Sequence, residues 1–283
     1  MDATELNSQF HKWLNNSTSL VIQYVVVTFF LFFLLFVWKR TSAEYARIQQ
    51  KYPDNKQIKR EIFYSMIFLL MLGTSVTLVV WLNKHGYTRA YKPIDKYGWG
   101  YYYASFFLML LVHDAYFYWT HRLMHHQAIF KHVHKLHHEF TNPTPFTSYA
   151  VHPFEGMVQL GILFVIVFTI PHHSSIVTIF FGYSFLINIV GHMGYEFLPK
   201  WFINHRIFKW INTSVHHNLH HSNLKANYGY YFNFWDTIMK TEHKKYKEHF
   251  EAVANRRAEG KAMAKRIAVS EPVEQEFAVQ NDI

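Results

Sequence analysis

Trp119-Thr120-His121-Arg122-Leu123-Met124-His125-His126 is followed shortly by His134-Lys135-Leu136-His137-His138 and, much further on, by His217-Asn218-Leu219-His220-His221. The spacings are HxxxH, HxxHH and HxxHH. On a helix, residues three and four apart share a face, so each stretch aims two or three imidazoles at one point. Eight histidines from three segments can then converge, enough to ligate two metal ions. A lone histidine is ordinarily a packing or surface residue. Here sixteen of the chain's 21 histidines fall between His121 and His221, recurring at helix-face spacing. The competing account is a cationic surface titrating near pH ~6.5, and such a surface has no need of HxxHH twice.

Outward from these clusters the chain reads as membrane. Met1 to Thr18 is polar with little pattern and lacks the features of a signal peptide. Leu20 to Trp38 carries no charge over nineteen residues, long enough to span a hydrocarbon core of ~30 Å. Lys39 and Arg40 close it, and the loop to Arg60 adds Arg47, Lys51, Lys56 and Lys59, which places that loop in the cytoplasm. Ile62 to Leu82 is a second span, and Tyr101 to Trp119, edged by aromatic anchors, a third. By alternation the first histidine cluster emerges on the side of the basic loop. Met157 to Ile170 and Ile176 to Val190 are shorter apolar runs of ~21–23 Å at helical rise, separated by Pro171-His172-His173-Ser174-Ser175. They read as a hairpin that enters and leaves by the cytoplasmic face and returns His192 and the third cluster to the first two.

The expected fold is therefore all-α. It is an integral membrane helical bundle of three spans and a short apolar hairpin, with a cytoplasmic histidine-rich helical cap. Three regions follow: 1–100 with two spans, 101–241 with the histidine clusters, and 242–283 as a basic cytoplasmic tail whose segment Val253 to Ile267 forms a surface helix. Half the 283 residues are hydrophobic and 19% aromatic, yet mean hydropathy is near zero, as suits a chain split between lipid and a very polar remainder. There is no cysteine, so disulfides, thiolate-bound haem and cysteine-bound iron–sulfur clusters are excluded. A net charge of +9 fits cytoplasmic loops, and no nucleic-acid partner is expected.

Imidazole suits iron, zinc, copper and nickel alike. A zinc ion takes about four ligands, so eight or more imply two metals. Two ions beside a bilayer suit O2 activation better than hydrolysis. Carboxylates are sparse: Asp114, Glu139, Glu155, Glu196 and Asp236 are near, but the paired Glu-x-x-His of soluble di-iron bundles is absent. A ligating imidazole needs an acceptor on its second nitrogen. Asp114, Tyr118, Glu139, Asn218, Asn227 and His152 are the candidates. Asp114, Tyr118 and Arg122 share a helical face that is either such support or an interfacial stripe. Pro143 and Pro145 break any helix and form either a plain turn or a loop capping the site from the cytosol.

These residues resemble the fatty acid hydroxylase / sterol desaturase superfamily of membrane di-iron oxidoreductases. The resemblance covers about Asp114 to Thr241. It includes Asp114-Ala115-Tyr116-Phe117-Tyr118-Trp119-Thr120-His121-Arg122-Leu123-Met124-His125, the box His134 to His138, and the box His217 to His221 followed by Asn227-Tyr228-Gly229 and Trp235-Asp236. The stretch Pro143 to Pro153 looks like a segment of C-5 sterol desaturases. The family usually has glycine before the closing threonine, where this chain has Lys240. By this resemblance His121, His125, His134, His137, His138, His217, His220 and His221 are iron ligands, with His192 a ninth. His216 and His152 stay open, and His126, His132, His172 and His173 match no box and read as surface or loop.

The resemblance implies two non-haem iron ions, O2 as co-substrate and a membrane lipid, sterol or long-chain, that is hydroxylated or desaturated. No catalytic residue is expected beyond the metal centre. Reducing equivalents come from a separate cytochrome b5-like or ferredoxin-like carrier. The site lies on the cytoplasmic side, of the endoplasmic reticulum in a eukaryote or of the cytoplasmic membrane in a bacterium. The alternatives are a divalent-metal transporter, which wants ligands near the bilayer midplane, a bis-histidine b-type cytochrome, and a catalytically idle lipid-binding relative.

Overall fold

The structure, a computed structural model, describes residues 2–280, with side-chain surroundings through residue 263. Helix α1 (Ala3–Phe32) starts on Asp2, whose carboxylate accepts the Glu5 amide at 2.7 Å and so caps the orphan N–H groups. It runs into a π-helical turn, Phe33–Trp38. The little pattern expected of Met1 to Thr18 understates the order found within it. From Ala3 on the stretch is helical, and its side chains dock on α3 (Asn55–Lys84): Trp13 Nε1 donates to Thr74 Oγ1 and Asn16 Nδ2 to Thr77 Oγ1, each at 3.0 Å. The two helices cross at Gly73, where an added Cβ would collide with Ser17. Gly73→Val is expected to cost about 1–3 kcal/mol through overpacking, read as a lower unfolding midpoint in detergent. An unchanged midpoint would mean that the crossing does not bear on stability.

The short α2 (Arg40–Ala43) turns the chain toward α3. Then come α4 (Gly98–Met124), α5 (Gln127–Val133), α6 (Lys135–His138), α7 (Pro153–Thr169), α8 (Ser174–His192), α9 (Ser214–Ser222), α10 (Phe234–Ile238) and α11 (Tyr246–Gln280). Among the described residues three helices are long and apolar enough to cross a membrane: Ala3–Trp38, Asn55–Lys84 and Ser174–His192. The expected third span, Tyr101 to Trp119, lies inside α4, whose Tyr, Trp, His113 and Asp114 dilute its apolar character; α8 takes its place among the three. α4 packs against both α7 and α8 through Met109, Ile162, Ile166 and Phe180.

The α7–α8 hairpin reaches further than its apolar runs imply. The helices extend beyond those runs, to 17 and 19 residues, or about 26–28 Å at helical rise. At its tip the strand β2 (His172–His173) pairs in parallel with β1 (Ala90–Tyr91) in the α3–α4 connection. Hairpin tip and connection therefore lie at one level, and His172 is buried (3% exposed) rather than on the surface. The basic tail begins as a helix packed on the rest of the fold. Tyr246, Phe250, Val253 and Ala254 of α11 pack on Val215 and Leu219 of α9, and Arg257 donates to the Glu196 and Leu198 carbonyls.

The loop with Pro143 and Pro145 sits between α1, α3 and α8. It is a buried wedge: Thr144 caps a tight turn Pro145–Tyr149. Its Phe146 carbonyl accepts from Tyr24 of α1 and Ser65 of α3, both at 2.9 Å, and its Ser148 carbonyl from Asn188 of α8 at 2.7 Å.

Candidate metal centre

The three boxes and the end of α8 meet. His121 and His125 close α4, and His134, His137 and His138 sit on and before the single turn α6. His217, His220 and His221 share one face of α9, whose start is capped by Thr213 accepting the His216 amide at 3.2 Å. Their side chains form two groups: His121, His125, His134, His138 and His220, and His137, His192, His217 and His221. Each HxxHH box feeds both groups, because adjacent residues of a helix point about 100° apart. Rings of different groups are neighbours, as His138 and His221 are, with centroids 5.1 Å apart.

Within each group the Nε2 atoms face one another. The separations are 3.0 Å for His121–His134, 3.1 Å for His134–His138 and 3.2 Å for both His125–His138 and His125–His220. In the second group they are 3.2 Å for His137–His192, 2.9 Å for His192–His217 and 3.2 Å for His217–His221. In four of the rings Nδ1 is engaged elsewhere: His121 on the Tyr228 carbonyl at 3.0 Å, His137 on Ala150 at 3.2 Å, His192 on Asn188 at 2.8 Å and His220 on Ala226 at 2.7 Å. Those carbonyls fix the proton on Nδ1 and leave the Nε2 lone pairs converging. Burial holds His134, His138, His217, His220 and His221 well below the ordinary imidazole value, and His137 down to about 4, so the rings are neutral at pH 7.

Buried lone pairs aimed at one another repel unless a cation lies between them. A metal about 2.1 Å from each nitrogen sets neighbouring nitrogens about 3.0 Å apart at right angles. The observed separations match. Nine neutral nitrogen donors suit a borderline transition metal rather than Ca2+ or Mg2+, which take oxygen.

The expected supporting residues direct their hydrogen bonds elsewhere than to the box imidazoles. Asp114 accepts the Tyr231 and Phe232 amides at 2.8 and 3.1 Å, and Tyr118 pairs with Thr241 at 3.0 Å. That face of α4 therefore docks the 228–241 segment. Asn218 accepts from Gln49 at 2.9 Å, Asn227 Nδ2 donates to the His216 carbonyl at 2.8 Å, and His152 accepts the Phe154 amide at the start of α7. Glu139 is exposed and pairs with Arg60. His216 turns away from both groups toward Asp236, 3.6 Å distant. His126 and His132 are exposed and His173 is half-buried. The groups that do hold the imidazoles are mostly backbone carbonyls, which carry no residue-type signal. The exception is Glu155, buried with Oε1 2.8 Å from His134 Nδ1.

Lys240 adopts φ 55° and Asn227 φ 60°. Asparagine tolerates this left-handed region and lysine does not. Lys240→Gly is expected to raise stability by up to about 1 kcal/mol, visible as a higher unfolding midpoint. A lower midpoint would mean that the lysine side chain contributes more than its backbone costs.

A cavity of about 490 Å³ opens on His121, His134, His137, His192 and His217. It continues between α1, α3, α7 and α8 to Asn83, His172 and Ser174. Ser174 and His192 bound the 19-residue α8, so the cavity extends about 27 Å along the helix axis. Between the ends its walls are largely apolar: Leu72, Val76, Leu163, Val177, Phe181 and Phe185.

Paired imidazole cages at one end of an apolar cavity, on helices long enough to span a bilayer, define a class: membrane proteins with buried poly-histidine clusters that could hold metal. Residues 106–241 match the fatty acid hydroxylase family, which supports the likeness to the fatty acid hydroxylase / sterol desaturase superfamily that the motifs carry. It is 35% identical to Delta(7)-sterol 5(6)-desaturase ERG3B of Gibberella zeae, over 63% of this chain and 55% of that one. It is 33% identical to lathosterol oxidase of Rattus norvegicus and 30% to that of Homo sapiens, each over 66% of this chain and 62% of the relative. The chain thus spans 55–62% of the length of these relatives. No solved structure matches it significantly.

Proposed function

We propose that this protein is an O2-dependent, non-haem di-iron oxidoreductase that hydroxylates or desaturates a membrane lipid, either a sterol or a long-chain lipid. The observation that carries the reading is the meeting of nine imidazoles at the end of an apolar cavity. The sterol desaturases and lathosterol oxidases among the relatives point the same way. Two iron ions, one in each imidazole group, would supply O2 activation and removal of hydrogen from an unactivated C–H bond.

The chain's own residues supply the rest. The carbonyls of Tyr228, Ala150, Asn188 and Ala226 keep four imidazoles in the tautomer that presents Nε2. Phe117 and Tyr230 stack at 4.6 Å and wall the cavity beside the cages, where they keep water from the reacting carbon. The apolar walls lay a hydrocarbon along the helix axis with one end at the cages. Desaturation takes two electrons from substrate and two from a carrier to bring O2 to two waters. Hydroxylation places one oxygen atom in the substrate and the other in water. A separate cytochrome b5-like or ferredoxin-like carrier delivers the outside electrons. The basic loop Lys39 to Arg60 supports a cytoplasmic position for the histidine face.

The test is lipid mass spectrometry of cells expressing the wild type or His137→Ala. A lipid gaining one oxygen or losing two hydrogens only with the wild type is the expected result. Identical lipid profiles, with the wild type iron-loaded and supplied with reductant, would contradict the reading.

A further inference from the structure

We infer that Glu155 is a positioning residue for one half of the metal centre: it fixes the ring of His134 and gives the five-imidazole group a carboxylate that the four-imidazole group lacks. The inference rests on the proposed metal-binding role of the two groups.

Glu155 lies in the first turn of α7, a helix that contributes none of the nine imidazoles. It is fully buried. Its Oε1 stands 2.8 Å from His134 Nδ1 and accepts from Gln159 Nε2 at 2.9 Å, while Oε2 has no hydrogen-bond partner. The approach to His134 lies off the ring's N–H line, so the contact is a charge–dipole contact rather than a linear hydrogen bond, and Nδ1 has no other partner. Among the described residues no other carboxylate comes within 4.0 Å of the nine nitrogen-donor rings; the remaining histidine–carboxylate pair is His216 with Asp236.

The ring orientation follows from the need for a lone pair. His134 Nε2 is 3.0 Å from His121 Nε2 and 3.1 Å from His138 Nε2. Holding a metal needs the lone pair of His134 Nε2, and that puts the His134 proton on Nδ1, the nitrogen 2.8 Å from Glu155. A carboxylate there orients the ring dipole so that Nε2, on the other side of the ring, becomes the stronger donor. A buried carboxylate with an unpartnered oxygen is costly on its own. It is offset where a cation sits just across the ring. In the other group His137 and His192 rest on neutral carbonyls, those of Ala150 and Asn188. With a cation across the ring to keep Glu155 ionised, the two groups differ in charge as well as in ligand number, and they should differ in how tightly they hold metal.

The experiment loads purified wild type, Glu155→Gln, His134→Ala and the double variant with ferrous iron alone. It then follows iron loss to a chelator, with helicity and membrane insertion checked in parallel. Wild type is expected to release iron in two phases. Glu155→Gln should speed one phase about 10–100-fold, the range for a lost partner of a metal-bound histidine, and leave the other unchanged. His134→Ala should speed the same phase, and adding Glu155→Gln to it should change nothing more. Equal acceleration of both phases, no acceleration, or additive effects in the double variant would overturn the inference. If Glu155→Gln does not accumulate in folded form, Glu155→Asp, which draws the charge back from His134, must speed the same phase. Wild type that holds no metal would instead overturn the metal-centre reading, and this inference with it.

Discussion

Replacing His137 with alanine is expected to leave a membrane-inserted, helical protein that turns over no lipid. His137 belongs to the four-imidazole group, its Nε2 3.2 Å from that of His192 and its ring centroid 4.7 Å from that of His221. Its Nδ1 also ties α6 to the buried wedge through Ala150. Removing it leaves three imidazoles in that group and opens a gap on the cavity wall. Loss of a second-sphere partner alone costs about 10–100-fold in affinity or activity, so loss of a ligand should cost more than about 100-fold. Insertion should survive, because the spanning helices do not depend on this ring for their packing. Product formation within about tenfold of wild type would remove His137 from the centre.

Asp236→Ala is the second large effect. Asp236 is fully buried and accepts three donors: the Tyr228 amide at 2.9 Å, the Gly229 amide at 2.8 Å and Thr241 Oγ1 at 2.7 Å. Each buried donor stranded by its loss costs about 1–3 kcal/mol, so the total should exceed about 3 kcal/mol. The damage should be directional as well. The Tyr228 carbonyl holds His121, so the five-imidazole group loses its grip on metal before the other does. Chemical unfolding in detergent and metal content per chain read the two effects. A stability change below about 1 kcal/mol would show that the turn 228–232 stands without Asp236.

The histidine convergence was legible because spacings of three and four residues have one geometric meaning on a helix. The same rule explains why each HxxHH box serves two groups. His192 had no such spacing; it stands alone on α8 and entered through the family resemblance. The supporting residues were illegible for a physical reason. Polar side chains near the boxes, Asn218 and Asn227 among them, were the visible candidates, yet peptide carbonyls perform that task and any residue carries one. Asn227 is used for its tolerance of positive φ and for bridging to the His216 carbonyl. Glu155 was visible as a nearby carboxylate, but nothing in the pattern told it from Glu139, which pairs with Arg60 on the surface.

The spans show a similar split. Leu20 to Trp38 and Ile62 to Leu82 fall within helices long and apolar enough to cross a membrane. The depth of the hairpin did not follow from its apolar runs, because α7 and α8 continue through Glu155 and His192, polar residues buried at the centre. The helical start at Ala3 follows from the Asp2 cap, a one-residue signal that the polar composition around it obscures.

The most direct measurement of the central claim is metal content and identity in protein purified without air, taken together with reductant-dependent O2 uptake in lipid. The account predicts close to two iron ions per chain and uptake that His137→Ala abolishes. Stoichiometric zinc with no O2 uptake would contradict it.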